Sequence, residues 1–299
     1  MKIWCFDDAH FWGKNLFDAA KVRGHEVTMF DDARKPDIGH VFMHMHHHPM
    51  VRTFHKRSMA TLALNPNLAL IPDYRSSVLY DDKLEQARQL SKWLPRTRVF
   101  YSKAPAWSWL ENEAKFPFIS KSSEGSSSNN VRMINTLDDA REEIRLAFSS
   151  FGIKCHYGLI QRGYLLWQDF VPDNAYDVRI VAIGNKRMMM VRDNREDRPM
   201  ASGSGRIHPI RSLNDANPEV MNALAKAEVF FRAERFKWCG IDMVFDKANG
   251  KWLIIEVTVG WTMHSYNECE FIENFKPTGR KGSDVWNVLL DEMEKGSFE

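Results

Sequence analysis

The chain has 299 residues, 44% of them hydrophobic, which makes it globular and long enough for one large domain or two to three smaller ones. Its 41 Lys and Arg nearly balance 39 Asp and Glu, so no global field points to nucleic acid or to an anionic membrane. Cys5, Cys155, Cys239 and Cys269 lack CxxC spacing, which argues against a zinc site or a disulfide framework; no apolar run approaches the ~18 to 20 residues that span a bilayer and the start is not signal-like, so a cytoplasmic protein is expected.

Lys2 to Phe6 reads as a short buried strand, Phe11 to Arg23 has helical spacing closed by Gly24, and Glu26 to Phe30 makes a second strand. The first strand leads into DDAHFWGK rather than a glycine fingerprint, so this β-α-β opening encodes no dinucleotide cradle. Residues 38 to 49 carry His40, His44, His46, His47 and His48. Adjacent histidines on a strand point to opposite faces, so a third strand ending in a cleft-facing loop, where one of His46 to His48 touches an anionic substrate, is preferred to a metal site. Residues 51 to 70 look helical, Leu68 to Pro72 looks like a strand, and Tyr74 to Leu79 reads as a connector. Asp81 to Trp93 repeats apolar residues every three positions with acids in its first turn, a helix stopped by Pro95.

A strand (TRVFY) and an aromatic helix with Trp107, Trp109 and Leu110 come next. An apolar strand, Phe116 to Ile119, then delivers Lys121 into a loop of one Gly and five Ser before another strand starts at Val131. Small residues let backbone amides approach an anion and the lysine adds a point charge, a combination suited to polyphosphate. A helix over 137 to 151 precedes a strand over 159 to 171 that ends in Gln168, Asp169, Phe170 and Val171. YDVRIVAIGNKRMMMVRDN reads as a hairpin turning at Gly184-Asn185, with Asp177, Arg179 and Val181 on one face and Met188, Met190 and Arg192 sharing a face on the return strand. Arg195 and Arg206 lie nearby, and such arginines can neutralise phosphates or carboxylates bidentately. Pro218 to Arg235 is an amphipathic helix, and Ser283 to Lys295 a second one.

The most informative stretch is CGIDMVFDKANGKWLIIEVTVGWTMHS, residues 239 to 265. It reads as a hairpin with Asn249-Gly250 in its loop; centring on Asn249 puts Asp242 opposite Glu256, with Thr258 on the same face as Glu256. Opposed carboxylates destabilise a strand pair. A divalent cation between them would resolve the conflict, because Mg²⁺ is held by one or two carboxylates plus substrate phosphates; an ordinary hairpin with two solvated acids is the other reading of this stretch.

In this order, Lys83 at a helix start, Lys121 with its Ser/Gly loop, QDFV, YDVR with Arg192, SGSGR and GIDMVFD…IIEVT resemble the ATP-grasp superfamily of carboxylate-amine ligases, over roughly residues 75 to 265. The resemblance implies an α/β chain: an N-terminal β-α-β pre-ATP-grasp domain over 1–78, then a two-lobed α+β ATP-grasp domain with antiparallel sheets over 79–299, its mobile lobe about 115–170 and its catalytic lobe about 171–299. It implies that Lys83, Lys121, Ser126 and Ser127 hold ATP phosphates, that Gln168, Asp169, Phe170 and Val171 meet the adenine, and that Arg179 and Arg192 stabilise the transferring phosphoryl group. Asp242 and Glu256 become ligands for Mg²⁺, two ions being usual. The family's Asn two residues after the glutamate is Thr258 here, which puts the second ion in doubt.

GWTMHS is similar to the substrate-contacting turn of D-alanine:D-alanine ligases, and the overall spacing is as close to the glutamate ligases that modify a ribosomal protein. Arg206, Thr262, His264 and Ser265 are therefore candidate substrate contacts. The implied reaction forms an amide from a small-molecule or peptide carboxylate and an amine through an acyl phosphate, releasing ADP and phosphate; no membrane is expected, and nucleic acid is not indicated. Relatives are often dimers or tetramers, so a homo-oligomer is a further implication. Two other readings of the fold stay open: a kinase that phosphorylates a hydroxyl, and a nucleotide-binding protein that has lost catalysis.

Overall fold

The computed structural model describes residues 1–6, 11–125, 130–195 and 205–299. The chain opens with β1 (Lys2–Phe6), α1 (Trp12–Val22), β2 (Glu26–Phe30), β3 (Gly39–Phe42), α2 (Pro49–Leu62) and β4 (Leu68–Ile71). Their four strands form one parallel sheet in the order β2-β1-β3-β4. Ile3, Cys5, Val41 and Phe42 are wholly buried, as strands covered on both faces require.

Tyr74–Leu79, expected to be a connector, is a short helix, α3, started by the Asp73 carboxylate accepting from Ser76 N at 2.9 Å. Six residues show no two-turn periodicity, so the cap was its only local signal. The next helix, α4 (Lys83–Gln89), stops earlier than the apolar spacing suggested: the chain turns at Leu90 and carries Trp93 into the core, where its indole N–H donates to Glu234 at 2.6 Å.

β5 (Thr97–Phe100), α5 (Lys103–Asn112), β6 (Phe118–Lys121), β7 (Val131–Ile134), α6 (Leu137–Ala147), the short pair β8 (Ile153–Lys154) and β9 (Ile160–Gln161), and β10 (Leu165–Asp169) follow. The single strand expected over 159 to 171 is broken, because Gly163 at φ 76 turns the chain between β9 and β10. An antiparallel sheet of order β5-β10-β6-β7 results, and Trp109, Phe118, Ile144 and Trp167 close a separate core beneath it.

The remaining elements are β11 (Tyr176–Ile183), β12 (Lys186–Asp193), β13 (Ile207–Pro209), α7 (Pro218–Glu234), β14 (Trp238–Asp246), β15 (Lys251–Thr258), β16 (Glu270–Glu273), β17 (Lys276–Lys281) and α8 (Val285–Glu294). They build an antiparallel sheet of order β15-β14-β11-β12-β16-β17, with β13 added to β12. Its core is continuous with that of the N-terminal parallel sheet: Trp12 and Phe42 meet Trp238 edge-on, at 6.2 and 5.3 Å between ring centroids. Mixed helices and strands with two large antiparallel sheets give the expected fold class. No helix among the described residues is long and apolar enough to cross a membrane.

Candidate active site

The large sheet assembles the site by register. Met190 on β12, Arg179 on β11, Asp242 on β14 and Glu256 on β15 are paired in one row across four strands. Asp177 and Arg192 form the row beside it, so the faces deduced for the two hairpins are one face of one sheet. The Asp242–Glu256 pairing is reached through a compensation: the turn from Asp246 to Lys251 is centred half a residue earlier than Asn249, and a bulge between Asp242 and Met243 restores the register.

These carboxylates are buried and balanced. Arg179 grips Asp242 bidentately at 2.5 and 2.7 Å, and Arg192 reaches Asp242 at 2.8 Å and Asp177 at 2.6 Å. Burial raises the Asp242 pKa, but the two guanidiniums outweigh it and hold the carboxyl well below the usual range. Burial dominates at Asp177 and pushes its pKa up to about 6. Glu256 lies 3.1 Å from Lys83, which also donates to Asp81 at 2.9 Å and to Gly125 O at 2.8 Å.

Burial pulls the Lys83 pKa down, yet Glu256 and Asp81 more than compensate and keep it above its ordinary value. Lys121 donates to Ile255 O at 3.0 Å, and burial, opposed by Glu256, lowers its pKa to about 8. Gly125 holds the loop against this group: at φ 132 it brings its N–H to Asp81 at 3.0 Å, where a Cβ would sit 2.3 Å from Asn130 Nδ2.

A cleft of about 670 Å³ lies between the two antiparallel sheets, lined by Lys83, Lys121, Gln168 to Val171, Asp242 and Glu256. Gln168 is tied to Thr97 at 2.8 Å and Asp169 to Arg98 at 2.6 Å, whereas the Phe170 N–H has no hydrogen-bond partner among the described residues. A second cavity of about 2060 Å³ shares Asp242 and Glu256 with the first. Arg179, Arg192, Thr258, Thr262, His264 and Ser265 line it, as do His44 and His47 from the histidine-rich segment and Trp261 and Trp286.

Thr258 turns its hydroxyl to Gly260, donating to the carbonyl at 2.7 Å and accepting from the amide at 3.3 Å. Arg206 is exposed and lies outside the lining of both cavities, and Ser126 and Ser127 fall outside the described residues. Among the described residues no three His, Cys, Asp or Glu side chains converge as a metal cage. Two carboxylates at the shared edge nevertheless fit Mg²⁺, which takes its other ligands from phosphates and water.

The sequence reading missed Asp81, Arg52 and Tyr266. Asp81 binds Arg52 at 2.6 Å as well as Lys83, and Tyr266 lines the second cavity. The DD before Lys83 was the only local sign of Asp81; the other two are placed by contacts distant in sequence.

No protein-family model and no curated protein matches the sequence. Solved structures do. A RimK domain ATP-grasp protein from Sphaerobacter thermophilus superposes with a TM-score of 0.60 at 17% identity, over 98% of this chain and 100% of that one. The ATP-grasp ligase PsnB, complexed with minimal precursor, Mg and ADP, gives 0.58 at 14% identity over 98% of each chain. The chain has the ATP-grasp fold. The D-alanine–D-alanine ligase of Bacillus anthracis is similar at a TM-score of 0.57 and 13% identity, covering 99% of this chain and 96% of that one.

Proposed function

We propose that the chain is an ATP-dependent ligase that activates a carboxylate as its acyl phosphate and transfers the acyl group to an amine. The observation that carries this reading is the Asp242–Glu256 pair standing at the edge common to two cavities, one walled by lysines and the other by arginines. ATP occupies the first cleft, its phosphates against Lys83 and Lys121 and its base edge against the free Phe170 N–H and the Val171 backbone. Asp242 and Glu256 hold Mg²⁺, which supplies charge neutralisation to the phosphates. Thr258 is left out of that ligand set, since its hydroxyl serves Gly260.

The acid lies in the second cavity among Thr262, His264 and Ser265, with Arg179 and Arg192 beside its carboxylate. A carboxylate oxygen attacks the γ-phosphorus, the β–γ bridging bond breaks, and ADP leaves. The amine then attacks the acyl carbon, phosphate departs, and the amine loses a proton. The protein contributes position and fixed positive charge to both steps.

ADP release tests the reading, assayed with ATP, Mg²⁺ and a panel of amino acids and short peptides offered as acid and amine pairs. Release that requires both partners is expected, and Lys121→Ala and Glu256→Ala are each expected to abolish it while the variants stay folded. A phosphorylated product formed without amine makes the protein a kinase instead, and near-wild-type turnover in either variant overturns the site.

A further inference from the structure

The wall of the second cavity contains two buried polar groups without a hydrogen-bond partner among the described residues, Trp261 Nε1 and the Tyr266 hydroxyl. Leaving such a group unpaired costs about 1–3 kcal/mol, and folded proteins carry few of them. The two rings meet edge-on at 6.3 Å. Tyr266 is 1% exposed, and its backbone is fixed by Cys269 N donating to its carbonyl at 2.8 Å. Gly282 packs so closely on that carbonyl that a Cβ there would stand 1.9 Å from the oxygen. The phenol is therefore held in place without compensation for its hydroxyl.

Arg179 and Arg192 line the same cavity as this residue. Burial pushes the Tyr266 pKa up to about 12 against the pull of Arg179 and Arg192, so the group keeps its proton, and Tyr266 is among the groups acting on Arg179 in return. Arg179 spends Nε and Nη2 on Asp242. If Asp242 binds a cation and Arg179 meets a phosphoryl group, as the ATP reading above requires, this bidentate grip must loosen. The guanidinium then needs another oxygen to fix its plane, and the Tyr266 hydroxyl is an unpartnered one in the wall of the same cavity. In this role the hydroxyl acts through the arginine.

We propose that Tyr266 is a positioning residue for phosphoryl transfer, its buried hydroxyl accepting from Arg179 when that guanidinium engages the transferring group. The inference rests on the ATP reading, and Tyr266→Phe tests it in three measurements on the full chain. The melting temperature should be unchanged or higher, because an unpaired buried hydroxyl is removed. Calorimetric affinity for ADP with Mg²⁺ should be unchanged. Affinity for ADP, Mg²⁺ and aluminium fluoride, which mimics the phosphoryl group in transit, should fall about tenfold.

Equal affinity of variant and wild type for the fluoride complex overturns the proposal. So does a lower melting temperature with both affinities reduced together, which assigns Tyr266 to packing alone. Wild-type protein that binds no ADP with Mg²⁺ sinks the ATP reading itself, and the proposal with it.

Discussion

Lys83 and Lys121 sit in the same cleft, both within the field of Glu256, and yet their pKa values are driven apart. Lys83 has two carboxylate partners within 3.1 Å and stays charged throughout the physiological range. Lys121 donates to a carbonyl, which cannot offset the desolvation of an ammonium, and its pKa falls to about 8. Lys121 should therefore lose its proton, and its grip on phosphate, just above neutral pH.

If binding needs the charged form, nucleotide affinity should drop on the order of tenfold between pH 7 and pH 9, and Lys121→Arg, which keeps its charge, should flatten the profile. Calorimetric titration of ADP with Mg²⁺ over that range decides the matter; a wild-type profile as flat as that of the arginine variant refutes it. Stability moves the other way. Between about pH 8 and the ordinary lysine value of 10.5 the unfolded chain binds the extra proton, so this group's contribution favours the native state as pH rises. Weaker binding at high pH should thus come without unfolding traceable to Lys121.

At the scale of elements, the hairpins were the legible part of the sequence, because a period of two and a short loop together fix which residues face each other. That arithmetic placed Asp242 opposite Glu256 and put Asp177 and Arg179 on one face. It could not reveal the bulge that makes the first pairing hold, nor α3, β9 and the early stop of α4, which depend on a cap, a glycine and a tryptophan drawn toward Glu234.

The turn between β11 and β12 shows how such local signals and distant contacts converge. Gly184 has φ 58, and a Cβ there would lie 2.4 Å from Glu292 Oε2, the atom that accepts from Asn185 N at 2.8 Å. Gly184→Ala therefore combines left-handed backbone strain with displacement of a wholly buried carboxylate from its donor. A loss of about 2–3 kcal/mol is expected from denaturant unfolding; a loss under about 0.5 kcal/mol means that α8 yields at no cost and that the turn is not anchored there.

Across the whole molecule the hydrophobic residues fall into two clusters, and the cleft lies between them. The first runs from the N-terminal sheet through the large antiparallel sheet, while the second closes on itself around Trp109, Phe118 and Trp167. No sequence pattern separates the two, because which apolar faces meet is decided by elements far apart along the chain. The division predicts that the smaller lobe can loosen alone.

Trp167 is wholly buried and donates its indole N–H to Glu143 at 2.7 Å; Glu143 itself is only 2% exposed and is paired with Arg132. Trp167→Phe removes that donor and leaves a gap beside a buried carboxylate, at a cost of about 2 kcal/mol. Because the second core is self-contained, hydrogen exchange should accelerate in β5, β6, β7 and β10 and stay slow in β11, β12, β14 and β15. Nucleotide affinity should fall with it, since the same substitution loosens the wall that carries Lys121 and Phe170. Uniform acceleration across both sheets would instead make the chain one cooperative unit, and closure of the cleft would then have to come from local rearrangement of its lining.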